Sequence, residues 1–133
     1  MSANSDIQNT IYQMKMLICD DDSITIRALD YQFRKDGFEI LKANNGREAQ
    51  KVLEGNCDIR VLISDIYMPL MSGLELITYV RKTLQWKIPI VIVSGVNLED
   101  TMLHAFELGA DTFFSKPFNL NDLSNQVKHL LNR

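Results

Sequence analysis

Acidic, hydroxyl and ammonium side chains stand where short apolar runs of the sequence end. The set is Asp20, Asp21 and Asp22 after the first run, Asp65 after the third, Ser94 at the end of the fourth and Lys116 after the fifth. Two carboxylates about 4 Å apart repel by about 4 kcal/mol at an effective dielectric constant of about 20, so a cluster of them requires a cation. Mg²⁺ prefers such oxygen ligands and keeps positions for a phosphate oxygen. Lys116 and Ser94 would add an ammonium and a hydroxyl donor for a phosphoryl group.

The apolar runs alternate with helix-like segments. They cover residues 15–19, 38–42, 59–64, 89–94 and 112–115. The third and fourth runs are almost entirely apolar, which is typical of strands that are buried on both faces of a parallel sheet. The alternation predicts an α/β fold, a doubly wound five-stranded parallel sheet with helices on both faces. In such a sheet ligands bind at the carboxyl ends of the strands, so this fold would bring the acids and Lys116 to one edge.

N-cap residues mark where the helices begin. The candidates are Asn45, Ser72, Asn97 and Asn119, each followed by an acid in the first helical turn. Ser72 and Glu75 have the spacing of a capping box, in which each side chain satisfies a backbone amide of the other residue. For the first helix, both Asp22 and Ser23 are candidate caps. Gly109 predicts the end of the helix that precedes the fifth strand.

Composition limits the number of domains and the kinds of partner. The chain has 133 residues, of which 46% are hydrophobic, and 14 basic against 17 acidic side chains give a net charge of −3. We predict one domain over residues 14–133 behind a polar lead-in at 1–13. The charge argues against direct nucleic-acid binding by this domain, and no apolar run reaches the roughly 18 residues of a membrane span.

The amino-terminal residues and the cysteines indicate the compartment. The sequence MSANSDIQNT has neither the basic start nor the apolar stretch of a signal peptide. Cys19 and Cys57 have no metal-binding or redox spacing, which fits a reducing environment. We therefore expect a cytoplasmic protein whose cysteines only pack.

Four segments in order carry a resemblance to a known family. They are LICDDDSITIR at 17–27, VLISDIYMPLMSGLELI at 61–77, PIVIVSG at 89–95 and GADTFFSKPF at 109–118. With these motifs the sequence resembles the receiver domain of two-component response regulators, over residues 15–132. The resemblance implies a flavodoxin-like sheet with strand order 2-1-3-4-5. It also implies a cis peptide bond before Pro117.

The resemblance implies a role for each site residue. Asp65 matches the phosphoacceptor, whose carboxylate attacks the phosphohistidine of a sensor histidine kinase or phosphotransfer protein. Mg²⁺ would be bound directly by Asp21, Asp65 and the backbone carbonyl of Tyr67, and through water by Asp20. Ser94 and Lys116 match the residues that bond the phosphoryl oxygens. The family is not one of ordinary enzymes, because the domain assists only its own phosphotransfer and dephosphorylation.

The resemblance also implies how the signal would leave the domain. Phosphorylation would draw Ser94 and Lys116 inward, and an aromatic residue on the fifth strand, here Phe113, would rotate inward. This changes the face made by the fourth helix, fifth strand and fifth helix, which binds a downstream effector protein or output domain. A phosphorylation-dependent homodimer is a further arrangement that the family allows. Phe113 lacks the hydroxyl of the commoner tyrosine, so we hypothesise a switch that is weak or biased inward.

Tyr67 offers a second hypothesis, because its side chain follows the acceptor by two residues. A bulky aromatic there can border the path of the hydrolytic water, which would lengthen the lifetime of the phosphoryl group. The other interpretation is an ordinary surface tyrosine, and the sequence favours neither.

Other functions remain as alternatives. The segment Asp20-Asp21-Asp22-Ser23-Ile24 loosely fits the start of haloacid-dehalogenase-like phosphatases, in which Asp20 would be the nucleophile. That reading has no cap domain and leaves the Met-Pro and Lys-Pro pairs unexplained. A pseudo-receiver, an interaction module without phosphotransfer, is the other alternative. Flavin binding is disfavoured, because the first strand ends in acids and no glycine-rich phosphate loop is present.

Overall fold

Strands and helices alternate along the chain, as the apolar runs predict. The computed structural model describes residues 13–96 and 98–133, so residues 1–12 of the predicted lead-in and the candidate cap Asn97 lie outside the described residues. The elements are β1 (Lys15–Cys19), α1 (Ser23–Lys35), β2 (Glu39–Ala43), α2 (Gly46–Gly55), β3 (Ile59–Ser64), α3 (Gly73–Thr78), β4 (Ile90–Ser94), α4 (Glu99–Leu108), β5 (Thr112–Ser115) and α5 (Leu120–Leu131). In the described part of the chain, no helix combines the length and apolar character that crossing a membrane requires.

The strands form one parallel sheet in the order β2-β1-β3-β4-β5, which confirms the predicted fold class and strand order. Two strands start one residue later than predicted, for local reasons. The Phe38 amide donates to the Phe33 carbonyl at the end of α1, so Phe38 belongs to the turn and not to β2. Pro89 has no amide hydrogen to donate to the ladder, and only its carbonyl pairs, with the Leu62 amide.

The sheet separates two hydrophobic clusters, one on each face. On one face the sheet packs against α2, α3 and α4, with Leu53, Leu76 and Ala105 buried in the cluster. On the other face it packs against α1 and α5, where Phe33 and Val127 are buried. Neighbouring residues of β3 and β4 alternate between the two clusters, which is why the strands are apolar over residues 61–63 and 90–93.

Side-chain caps begin the helices near the carboxyl edge of the sheet. Asp22, and not Ser23, caps α1, because its carboxylate accepts from the Ile24 amide at 3.0 Å. Ser72 and Glu75 form the predicted reciprocal capping box. Asn45 and Asn119 accept from first-turn amides of α2 and α5 at 2.8 and 3.0 Å. These bonds fix the direction in which each loop leaves the sheet, and therefore the positions of the acids in the loops.

Two helix ends depart from regular α geometry. Gly109 ends α4 with a φ of 122°, which only glycine adopts without strain, as its predicted stop position requires. The α3 helix continues as a π-helical turn over Tyr79–Thr83, which the apolar pattern does not indicate. Trp86 follows this turn in a loop, where its amide donates to the Val80 carbonyl.

Candidate functional site

Three carboxylates meet at the carboxyl edge of the sheet. Asp20 and Asp65 follow the neighbouring strands β1 and β3, and the Asp65 amide donates to the Cys19 carbonyl at 3.0 Å. Asp20, Asp21 and Asp65 each place a carboxylate oxygen within 4.8 Å of the others. Asp22 is turned away from this cluster, because its carboxylate caps α1 and accepts from the Thr25 hydroxyl at 2.9 Å.

Lys116 reaches this cluster from the end of β5. Its ammonium donates to Asp20 Oδ2 at 2.8 Å and to Asp65 Oδ2 at 3.2 Å. The Lys116 amide donates to the Ser94 carbonyl at 2.8 Å, and the bond to Pro117 is cis, as the resemblance implies. A single cation therefore bridges the two least accessible carboxylates of the cluster.

Burial and the bonds between opposite charges shift the pKa values of Asp20 and Lys116 in opposite directions. Burial raises the pKa of Asp20 above its usual range, although hydrogen bonds from Lys116 and from the Asp22 amide oppose the rise. For Lys116, burial alone would lower the pKa. The hydrogen bond to Asp20 and the negative charges of Asp65 and Asp20 outweigh it and raise the pKa. Lys116 is therefore a permanent cation at neutral pH.

The two bridged carboxylates differ in exposure, although the oxygens of both accept hydrogen bonds. Both oxygens of Asp20 are occupied, by the Asp22 amide at 2.8 Å and by Lys116, and its side chain is 0% exposed. Asp65 Oδ1 accepts from the amides of Ile66 at 2.6 Å and Tyr67 at 3.4 Å. The Asp65 side chain keeps 10% of its surface exposed, so a ligand can approach it more readily than it can approach Asp20.

The Ser94 hydroxyl and the Phe113 ring make contacts outside the group of three carboxylates. Ser94 is buried, and its hydroxyl is 3.3 Å from both the amide nitrogen and the carbonyl oxygen of Val96. Phe113 is half-buried and packs on the cluster that faces α2, α3 and α4. Tyr67 is 47% exposed, and its hydroxyl lies 3.3 Å from the Thr101 hydroxyl at the start of α4.

The Cys19 thiol adjoins the acids without adding reactivity to the site. The side chain is buried, its sulfur lies 3.3 Å from the Met68 sulfur, and it donates to the Asn45 carbonyl. Burial is the largest cause that raises the pKa of Cys19 to about 12. The thiol therefore stays protonated and is not a nucleophile, in agreement with the packing role predicted for it.

Gly73 supports the backbone of Asp65, a role that no reactive side chain indicates. A Cβ at position 73 would lie 2.0 Å from the Asp65 carbonyl oxygen, and the Gly73 amide donates to the Ile66 carbonyl at 2.7 Å. The sequence does carry a signal, because this glycine belongs to the segment VLISDIYMPLMSGLELI. Gly73 lets α3 begin in contact with the backbone of Asp65 and Ile66.

The donor set is suitable for a hard divalent cation. Asp20, Asp21 and Asp65 offer carboxylate oxygens within one small volume, and Lys116 compensates only part of their charge. Mg²⁺ binds to few carboxylates and retains several waters, so a set of this size meets its preference. The acidic pocket could hold such a metal ion.

Comparisons with known proteins agree with this geometry. The response regulator receiver domain family model matches residues 16–128. Chemotaxis protein CheY1 of Helicobacter pylori is 33% identical over 120 residues, which are 89% of this chain and 97% of that protein. Transcriptional regulatory protein PrrA of Mycobacterium tuberculosis is 35% identical over 120 residues, 90% of this chain and 50% of that protein. The solved CheX–CheY–BeF3–Mg complex from Borrelia burgdorferi contains a chain that aligns with a TM-score of 0.81 at 25% identity, over 87% of each chain. The chain therefore belongs to the response regulator receiver domain family.

Proposed function

We propose that the protein is a phosphorylation-activated signalling switch of the cytoplasm, in which Asp65 is the phosphoacceptor. The donor is the phosphohistidine of a sensor histidine kinase or phosphotransfer protein. The observation that carries the proposal is the cluster of Asp20, Asp21 and Asp65 within 4.8 Å, bridged by the Lys116 ammonium. The family membership supports it, because receiver domains are signalling phosphoacceptors.

The chemistry follows from the positions of the charged groups. An oxygen of Asp65 attacks the donor phosphorus, an O–P bond forms, and the P–N bond to the histidine breaks with its electron pair on the departing nitrogen. Lys116 Nζ, 3.2 Å from Asp65 Oδ2, stabilises the negative charge of the transferred group. Mg²⁺ bound by Asp21, Asp65 and the Tyr67 carbonyl, with Asp20 acting through water, would neutralise charge on the phosphoryl oxygens.

Accessibility favours Asp65 over Asp20 as the nucleophile. The haloacid-dehalogenase-like alternative needs Asp20 to attack, yet the Asp20 side chain is 0% exposed. The Asp65 side chain is 10% exposed. The pseudo-receiver alternative is disfavoured because the three acids lie within 4.8 Å of one another and Lys116 contacts two of them, Asp20 and Asp65.

Labelling by a small phosphodonor tests the acceptor. Acetyl phosphate with MgCl2 should add one phosphoryl group to the parent chain, detected by intact mass, and EDTA should abolish it. Asp65→Asn should remove the adduct, whereas Asp20→Asn should slow its formation without removing it. An adduct that persists in Asp65→Asn and vanishes in Asp20→Asn would establish Asp20 as the acceptor. A parent chain that takes up no phosphoryl group would support the pseudo-receiver alternative.

The signal would leave through the face formed by α4, β5 and α5. On α4, Leu103 is 50% and Phe106 is 41% exposed, and this apolar surface is suited to a downstream effector protein, an output domain or a second phosphorylated copy. The Ser94 hydroxyl now bonds to Val96. A phosphoryl group on Asp65 would compete for that hydroxyl and so shift the loop that leads to α4.

Phe113 provides a test of the switch itself. In the Phe113→Tyr variant the added hydroxyl favours the solvent-facing rotamer, so it should weaken the inward state that we associate with phosphorylation. We expect a larger change in amide chemical shifts of α4 and β5 on addition of beryllofluoride and Mg²⁺ to this variant than to the parent. Equal changes in the two proteins would refute the hypothesis that Phe113 biases the switch.

A further inference from the structure

Helix α4 is weakly held at its amino-terminal end. Its N-cap residue, Leu98, has no side chain that can accept a hydrogen bond, and Ala105 is its buried residue. Among residues 13–96 and 98–133, one side-chain hydrogen bond reaches the first turn of α4, between the hydroxyls of Tyr67 and Thr101 at 3.3 Å. Apart from packing, the first turn of α4 is therefore held to the loop after β3 by the Tyr67 hydroxyl.

The other end of Tyr67 borders the acidic site. Its amide donates to Asp65 Oδ1 at 3.4 Å, and its carbonyl is the backbone ligand of the proposed Mg²⁺ site. Between the backbone and the hydroxyl of a tyrosine there are only two rotatable side-chain bonds. A hydroxyl held at Thr101 therefore restricts where the backbone of Tyr67 can lie.

We infer that Thr101 is a positioning residue of the acidic site, which acts through the Tyr67 hydroxyl to hold the Tyr67 backbone in place for metal binding. The inference rests on the proposed function, because it concerns the same Mg²⁺ and phosphoryl site. Thr101 is not one of the residues proposed to bind the metal or the phosphoryl group. The coupling is reciprocal, so a ligand that moves the Tyr67 backbone also shifts the first turn of α4. This route to α4 does not pass through Ser94 or Phe113.

The size of the effect follows from the exposure of the bond. A neutral hydrogen bond at a partly exposed position contributes modestly, so its loss should weaken Mg²⁺ binding by about three-fold and not abolish it. Packing of the Tyr67 ring alone would make no use of the hydroxyl. A variant that removes only the hydroxyl, Tyr67→Phe, therefore separates hydrogen bonding from packing.

Mg²⁺ titration followed by amide chemical shifts provides the test. Thr101→Val and Tyr67→Phe should each weaken Mg²⁺ binding by about three-fold, and the double variant should show no further loss, because both changes remove one bond. Thr101→Ser keeps the hydroxyl and should restore the parent affinity. His104→Ala, an exposed change on the same helix, is the matched control and should leave the affinity unchanged.

Amide hydrogen exchange without metal gives a second readout. In Thr101→Val and Tyr67→Phe, the first-turn amides of α4 and the Tyr67 amide should exchange faster together, by a similar factor. Unchanged Mg²⁺ affinity in both variants, or losses that add in the double variant, would refute the inference alone. A parent chain that binds no Mg²⁺ would refute the proposed metal site, and the inference with it.

Discussion

Replacing Gly73 by alanine probes how closely α3 approaches the backbone of Asp65. The added Cβ would lie 2.0 Å from the Asp65 carbonyl oxygen and 2.9 Å from the Ile66 Cα. Both are backbone atoms, so no side chain can rotate aside. The closest approach of a nonbonded carbon and oxygen is about 3.2 Å, so the loop after Asp65 and α3 must separate by about 1.2 Å. The 2.7 Å hydrogen bond from the Gly73 amide to the Ile66 carbonyl opposes that separation.

This separation should reduce both stability and phosphorylation. Overpacking of a filled interior costs about 1 to 3 kcal/mol, and the rigid neighbours place Gly73→Ala near about 3 kcal/mol. For a chain of this length the melting temperature should fall by about 10 °C. The shift also moves Asp65 relative to Lys116, and a misplacement of about 1 Å can slow chemistry by about 100-fold.

Urea unfolding and the rate of labelling by acetyl phosphate measure the two effects. Gly55→Ala is the matched control, because a Cβ there meets nothing within 4 Å, and it should change the free energy of unfolding by less than about 1 kcal/mol. If Gly73→Ala were as stable and as quickly phosphorylated as Gly55→Ala, the close approach of α3 would not constrain the site.

Other contacts lead to further predictions. Lys116→Met should lower the free energy of unfolding by about 2 kcal/mol, because it leaves Asp20 and Asp65 facing each other without a cation, and MgCl2 should recover part of the loss in urea melts. Burial opposes the ionisation of Asp36, but hydrogen bonds and a nearby ammonium outweigh it and lower its pKa. Its contribution, about 1 kcal/mol, should be complete above the unfolded pKa of about 3.9 and disappear as the pH falls through the folded value. The stability gap between parent and Asp36→Asn should therefore be constant above about pH 4 and narrow as the pH falls below that value in urea melts, and a gap that does not narrow in acid would contradict this. Tyr67→Asn should speed decay of the phosphoryl adduct, followed by intact mass, and an unchanged rate would refute the shielding role.

The fold and the acidic cluster were predictable because both depend on patterns that repeat along the chain. A strand buried on both faces has to be largely apolar, and β3 and β4 are, apart from Arg60 and the serines that end the two strands. The carboxyl ends of parallel strands share an edge, so Asp20, Asp65 and Lys116 had to approach one another once the strand order was known. Local capping patterns such as Ser72 with Glu75 identified the helix starts for the same reason.

What could not be predicted depends on contacts between segments that are distant in sequence. The Tyr67 and Thr101 hydroxyls meet across 34 positions, and nothing in either local sequence indicates the other. The Ser94 hydroxyl had two candidate partners, the acceptor site and its own loop, and only the loop geometry shows that it bonds to Val96. The choice of Asp22 over Ser23 as the cap of α1 likewise depends on the exact backbone direction after β1.

The balance of charge in the cluster connects stability to signalling. Asp20 and Asp65 share the ammonium of Lys116, and Asp21 adds a third carboxylate within 4.8 Å. Burial already raises the pKa of Asp20, so the folded state bears a cost for keeping it ionised. A site selected for stability alone would have a neutral residue in place of one of these acids, because each pair of carboxylates repels. Under the proposed function, this excess negative charge would bind a cation, and the cation would in turn attract a phosphoryl group. Lys116 already contacts Asp65, so under the proposed function a phosphoryl group on Asp65 would compete for the Lys116 ammonium. The Lys116 amide donates to the Ser94 carbonyl, so a shift of Lys116 would also act on the end of β4.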